Sequence, residues 1–90
     1  MAEGAGRSVS GSATATLDSG QGWLLSASIA AGADTATAVV RTGGSGGTII
    51  CKLAATANTT AERQFVSGVP YSDLHVTITG TSPVFDAELG

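Results

Sequence analysis

The 90-residue chain has one histidine, one cysteine, one tryptophan and one tyrosine, so any chemistry must pass through few positions. His75 follows Asp73 by two residues in "SDLHVTIT", a spacing that puts both side chains on one face of a strand. A carboxylate there could hold an imidazole, but nucleophilic catalysis also needs a Ser or Cys held against that base. Such pairs are common on solvated strands, and His75 reads as an exposed surface residue. Asp86 and Glu88 also share one strand face, with Cα atoms about 7 Å apart. A glycosidase pair would need a sugar cleft lined by aromatics, and without one the two acids read as a solvated face. Cys51 alternates with Ile49 and Leu53 and reads as a small buried hydrophobe. Trp23 and Tyr71 could stack on a sugar ring. Their separate segments favour core packing for Trp23 and an inter-strand or interface position for Tyr71. Asn58-Thr59-Thr60 matches a glycosylation sequon and reads as a turn. One His, one Cys and scattered acids supply no zinc spacing and no calcium loop. The residues predict no enzyme, no metal and no cofactor.

Composition narrows the partners. Four basic and seven acidic residues give a net charge of −3. Arg7, Arg41, Lys52 and Arg63 are too dispersed for a phosphate-binding run, so no nucleic acid is expected. No stretch approaches the ~18 consecutive apolar residues of a membrane helix. The start "MAEGAGRSVSGSA" lacks the basic and apolar segments of a signal peptide, which predicts synthesis and folding in a cytoplasm. The apolar fraction is 42%, yet much of it is alanine. A chain of this length buries only about 60–65% of its unfolded surface. With no disulfide possible and no metal set, oligomerisation or attachment to a larger assembly is the expected supplement.

The elements that must carry these residues are strands. Residues 1–11 read as a flexible Gly/Ser/Ala arm and 12–90 as a single β domain. Alternation marks Ser12–Leu17, then Gly22–Ala30 with Trp23, Leu25, Ala27 and Ile29 on one face. It continues in Asp34–Arg41 with Ala36, Ala38 and Val40 inward, and in Thr48–Ala55 with Ile49, Cys51 and Leu53 together. Ala61–Val66, Ser72–Thr79 (Leu74, Val76 and Ile78 inward) and Val84–Leu89 (Phe85, Ala87 and Leu89 inward) complete the set. Turn residues in "DSGQG", "AAGAD", "TGGSGG", "TANTT", "SGVP" and "GTSP" separate them. Six or seven short strands at this spacing predict an all-β fold, a small antiparallel β-sandwich or barrel.

Several strands are apolar on both faces: Leu24 opposite Trp23 and Leu25, Val39 beside Val40, Ile50 beside Ile49. Either these residues fill the edges of a small core, or a second face is buried against another subunit. The neutral surface, with charged residues at 12%, fits the second alternative.

The run from "GWLLSASIAAGADTATAVVRTGG" through "LAATANTT" and "FVSGVPY" to "LHVTITGTSP" resembles small virion-associated β-domain proteins of tailed double-stranded DNA bacteriophages, over residues 21–89. One departure is "RTGGSGG", where that group would have an Asp-Gly type turn. The resemblance implies a structural protein of the capsid decoration (cement) or head-spike type, assembled in the host cytoplasm and carried on the capsid surface of the virion. Its partners would be the major capsid protein and further copies of itself in a homo-oligomer whose count the sequence does not reveal, a trimer being the one that would match local three-fold positions. Leu24, Val39, Ile50 and Tyr71 are the candidate subunit or capsid interface, and the arm would lie along the capsid or a neighbouring copy. A tail- or fibre-associated domain and a carbohydrate-binding host-attachment module are the alternatives.

Overall fold

The computed structural model describes residues 7–90, in which period-two alternation becomes six strands and no helix. They are β1 (Arg7–Gly11), β2 (Ala15–Ala30), β3 (Ala36–Thr42), β4 (Thr48–Ala55), β5 (Thr60–Thr79) and β6 (Val84–Leu89). All neighbours are antiparallel, in the order β1-β6-β2-β5-β3-β4. The chain is all-β.

A flat sheet cannot bury one of its own faces, and this one folds over. The start of β2 pairs with the end of β5 (Ala15↔Val76, Thr16↔His75), and β5 there continues into β3 and β4. The end of β2 pairs with the start of β5 (Ser26↔Gln64 to Ala30↔Thr60), and β2 there continues into β6 and β1. The long strands β2 and β5, of 16 and 20 residues, therefore run through both layers of a sandwich. The shortest dimension of the molecule is 18 Å, enough for two sheets about 10 Å apart with their outward side chains.

Irregular pairing makes the bends. The β2–β5 register breaks in two places, through Thr16, Asp18 and Gln21, where two shifts follow one another, and between Leu24 and Ser26. Opposite the first break Asp73 adopts φ 53, and opposite the second β5 carries the extra residues between Gln64 and Val69. Unpaired residues of this kind kink a strand and sharpen its twist. The segments "DSGQG" and "SGVP", expected as turns, are these bends. Residues 15–17 of the expected Ser12–Leu17 strand and Gly22–Ala30 accordingly merge into β2, with residues 12–14 outside it, and Ala61–Val66 and Ser72–Thr79 merge into β5. Part of the expected arm is strand: Arg7–Gly11 is an edge strand paired to β6 from Arg7↔Leu89 to Gly11↔Phe85. The rest of the arm, residues 1–6, lies outside the described residues.

The core is closed by Leu24 and Ile29 from β2, Val40 from β3, Leu53 from β4, Leu74, Val76 and Ile78 from β5, and Phe85 and Leu89 from β6. Ala27, Ala36, Ala38, Ala55 and Ala87 fill the gaps and let the layers approach closely. The inward phases expected for β3, the end of β5 and β6 hold. Two phases reverse. In β2 the break between Leu24 and Ser26 turns Leu24 inward and leaves Trp23 50% and Leu25 37% exposed. In β4, Cys51 opposes Val40 while Ile49 opposes Arg41, so Ile50 has no opposite residue. Ile49 is consequently 42% exposed, and Ile50 packs partly buried against the core.

Candidate functional site

Where β2 crosses between layers, Gln21, Gly22 and Trp23 run antiparallel to Pro70, Tyr71 and Ser72 of β5. With Thr42 at the end of β3 they line an open cleft of about 510 Å³. Its floor is rigid. Gly22 lies under Tyr71, whose side chain is buried and whose hydroxyl donates to Asp18 Oδ2. Its sides are tied down by backbone bonds. Trp23 N–H donates to the Gly90 carbonyl at 3.2 Å and Gly90 N–H donates back to Trp23 at 2.8 Å. Ser72 N–H donates to Thr42 Oγ1 at 2.8 Å, while the Ser72 carbonyl accepts from Gly43 N–H at 2.6 Å and from the Thr42 hydroxyl at 3.1 Å. Exposed Trp23, Gln21, Pro70 and Ser72 form the rim.

The second bend places apolar groups beside this cleft. Gly68, at φ 76, sits against Leu25 and the Trp23 ring. Two residues earlier Val66 is fully exposed.

The outer faces of the two layers differ in charge. On the β1–β6–β2–β5 layer, Ser8–Glu88–Ser26–Gln64 and Ser10–Asp86–Ser28–Glu62 form two rows across the strands. Ser26 donates to Glu88 Oε1 at 3.3 Å, and a shallow recess of about 270 Å³ opens between the carboxylates of Glu62, Asp86 and Glu88. Arg63 alternates to the other side, with its guanidinium 5.7 Å from the centre of the Phe65 ring. On the opposite layer, the outward positions of β3 and its neighbours are Thr37, Val39, Arg41, Lys52, His75, Thr77 and Thr79. Arg41 Nη1 donates to Thr77 Oγ1 at 3.1 Å, and none of the β3 pairings includes an acid.

The residues singled out by their chemistry are dispersed. His75 does point to the threonine-rich side, but it is only 8% exposed, which corrects the expected surface position. Its Nδ1 meets Thr16 Oγ1 at 3.1 Å, while Asp73 turns away and accepts from Gly20 N–H at 3.0 Å. The Asp73–His75 pair suggested by their spacing is not formed. Cys51 is a buried free thiol whose pKa is raised by burial, with the nearby Arg63 charge acting in the opposite direction. Asp86 and Glu88 are exposed as expected, and Glu62 on β5 joins them across Ser28. No group of three or more His, Cys, Asp or Glu among the described residues could hold a metal ion.

Of the four candidate interface residues, two are corrected. Leu24 is completely buried in the core because the β2 bulge reverses its phase, and Tyr71 is buried over Gly22. Neither is available to a partner. Val39 lies half-buried on the outer face between Lys52 and Thr77, and Ile50 is half-buried at the β4 bulge. The sequence pattern missed Trp23, Leu25 and Val66 as surface residues. Gly68 in "FVSGVP" was the available signal, since a glycine inside an alternating strand marks a bulge.

No family model, curated protein or solved structure matches the chain.

Proposed function

We propose that this protein is a non-catalytic assembly module, a capsid decoration protein that sits on the head of a tailed double-stranded DNA phage and reinforces contacts between major capsid subunits. The observation that carries this reading is the pair of broad outer faces. Both carry short side chains that let another protein approach closely, Ser8, Ser10, Ser26 and Ser28 on one and Thr37, Thr77 and Thr79 on the other. One carries Glu62, Asp86 and Glu88, and the other Arg41 and Lys52. A module with opposite charge on its two faces can lie between unlike neighbours, including further copies of itself, and the charges fix its orientation. Repetition over a symmetric shell turns many weak contacts into firm attachment. The resemblance in sequence pattern supplies the identity of the shell, and the alanine-rich core fits a domain that gains stability from its neighbours.

The deciding experiment is to count copies of this chain on purified virions against the major capsid protein. A ratio near one to one, or another simple lattice fraction, supports decoration of the whole shell. A handful of copies moves the protein to a vertex, tail or fibre, and none removes the virion reading.

A further inference from the structure

We infer that the cleft between β2 and β5 is a binding site for a neutral saccharide, with the Trp23 indole as the platform for one sugar ring. This site is independent of the virion reading.

The inference starts from an unfavourable placement. Trp23 is the only tryptophan in a chain short of large apolar side chains, yet half of it faces solvent. The adjacent Leu24 fills the core instead. The β2 bulge therefore holds a broad aromatic ring at the rim of an open cleft. Backbone bonds between Trp23 and Gly90 fix its strand there.

The lining then selects the ligand. No described residue that lines the cleft is charged. An anionic ligand such as a nucleotide would lack the cation that phosphate recognition requires. An extended peptide cannot add as a strand, because Trp23 and Ser72 already have backbone partners in Gly90, Gly43 and Thr42. The cleft is open, and hydroxyl and amide groups interrupt its apolar surface, so it does not enclose an acyl chain. What remains is a solvated ligand with one flat apolar face and many neutral hydroxyls. A hexopyranose has both: its axial C–H face packs on an indole, while its edge hydroxyls reach an exposed amide and hydroxyl. Gln21 and Ser72 supply these beside Trp23. An apolar surface with a few placed polar groups is the usual composition of a small-ligand site. The floor is already packed and hydrogen-bonded through Gly22, Tyr71 and Asp18, which lowers the ordering cost of accepting a ligand.

Because Trp23 is the only indole, its fluorescence reports this site alone. The full-length protein is titrated with neutral hexasaccharides of glucose (α- and β-linked), mannose, xylose and N-acetylglucosamine. At least one should shift or quench the emission saturably, with a dissociation constant on the order of a millimolar or tighter. Calorimetry on Trp23→Ala should then show binding weakened by about tenfold or more, with the far-ultraviolet circular dichroism unchanged. Trp23→Phe should retain part of the affinity, and Gln21→Ala should lose part of it. The inference is overturned if no saccharide perturbs Trp23, or if folded Trp23→Ala binds as well as the parent. Copy number on virions has no bearing on either result, so this inference and the assembly reading fail separately.

Discussion

Gly22 lies so close beneath the ring of Tyr71 that a Cβ at position 22 would sit 2.6 Å from the phenolic oxygen and 2.8 Å from Cζ. The ring cannot swing clear, because it is buried and its hydroxyl is bonded to Asp18. Gly22→Ala should therefore destabilise the fold by about 1–3 kcal/mol, the usual cost of overpacking a tight site. For a domain this small each kcal/mol lowers Tm by roughly 4–8 °C. Thermal unfolding of the variant measures it, and an unchanged Tm would mean that the ring and the strand can separate freely.

Adjacent residues of β2 should behave in opposite ways. Leu24 has no exposed surface, so Leu24→Ala should cost about 2–5 kcal/mol. Trp23→Ala removes a larger side chain but should cost only about 1 kcal/mol, because half of the indole is already in water. Urea unfolding of the two variants compares them directly. The reverse ranking would place Trp23 in the core and remove the bulge between Leu24 and Ser26.

The legibility of the chain follows the same bulges. Where alternation is unbroken, as at Leu74, Val76 and Ile78 or Phe85, Ala87 and Leu89, period two identifies the inward face and the structure agrees. One inserted residue inverts the assignments on one side of it relative to the other, here Trp23 and Leu25 against Ala27 and Ile29. A single sequence does not mark which residue is extra when Leu24 and Leu25 are chemically alike. The all-β class was thus legible, while the interface assignments to Leu24 and Tyr71 were not. The cleft was illegible for a related reason. Trp23 and Tyr71 are 48 positions apart in sequence, and only the β2–β5 register, with Trp23 opposite Pro70 and Gly22 opposite Tyr71, makes them neighbours. The charge division between the faces also required the sandwich, since Glu62 joins Asp86 only through Ser28.

That charge division makes attachment to a shell salt-sensitive if the outer faces carry it. Lys52 stands on the edge strand β4, exposed and opposite Val39. Lys52→Glu should reduce retention on capsids at low salt while leaving the unfolding free energy within about 0.5 kcal/mol of the parent. Salt should release the parent protein progressively as the screening length falls from about 10 Å at 0.1 M towards about 3 Å at 1 M. Sedimentation of decorated particles across a salt series tests both. Retention indifferent to salt and to Lys52→Glu would assign attachment to the apolar bend at Leu25 and Val66.

The last prediction concerns the buried thiol. Burial raises the pKa of Cys51, and Arg63 offsets only part of that effect. The folded chain therefore keeps a proton that the unfolded chain releases first, near its ordinary value of about 8.5. The stability tied to the neutral thiol is fully present below that value and is lost as pH rises through the higher folded pKa. Unfolding free energy should fall more steeply for the parent than for Cys51→Ala between about pH 8 and pH 10. The alanine variant is expected to start about 1 kcal/mol lower, from the lost sulfur contacts. Denaturant titrations of both proteins over this range give the two slopes. Iodoacetamide gives a second readout, since Cys51 should react slowly in the folded chain and quickly in urea. Parallel slopes together with fast labelling of the folded protein would place the thiol in contact with solvent.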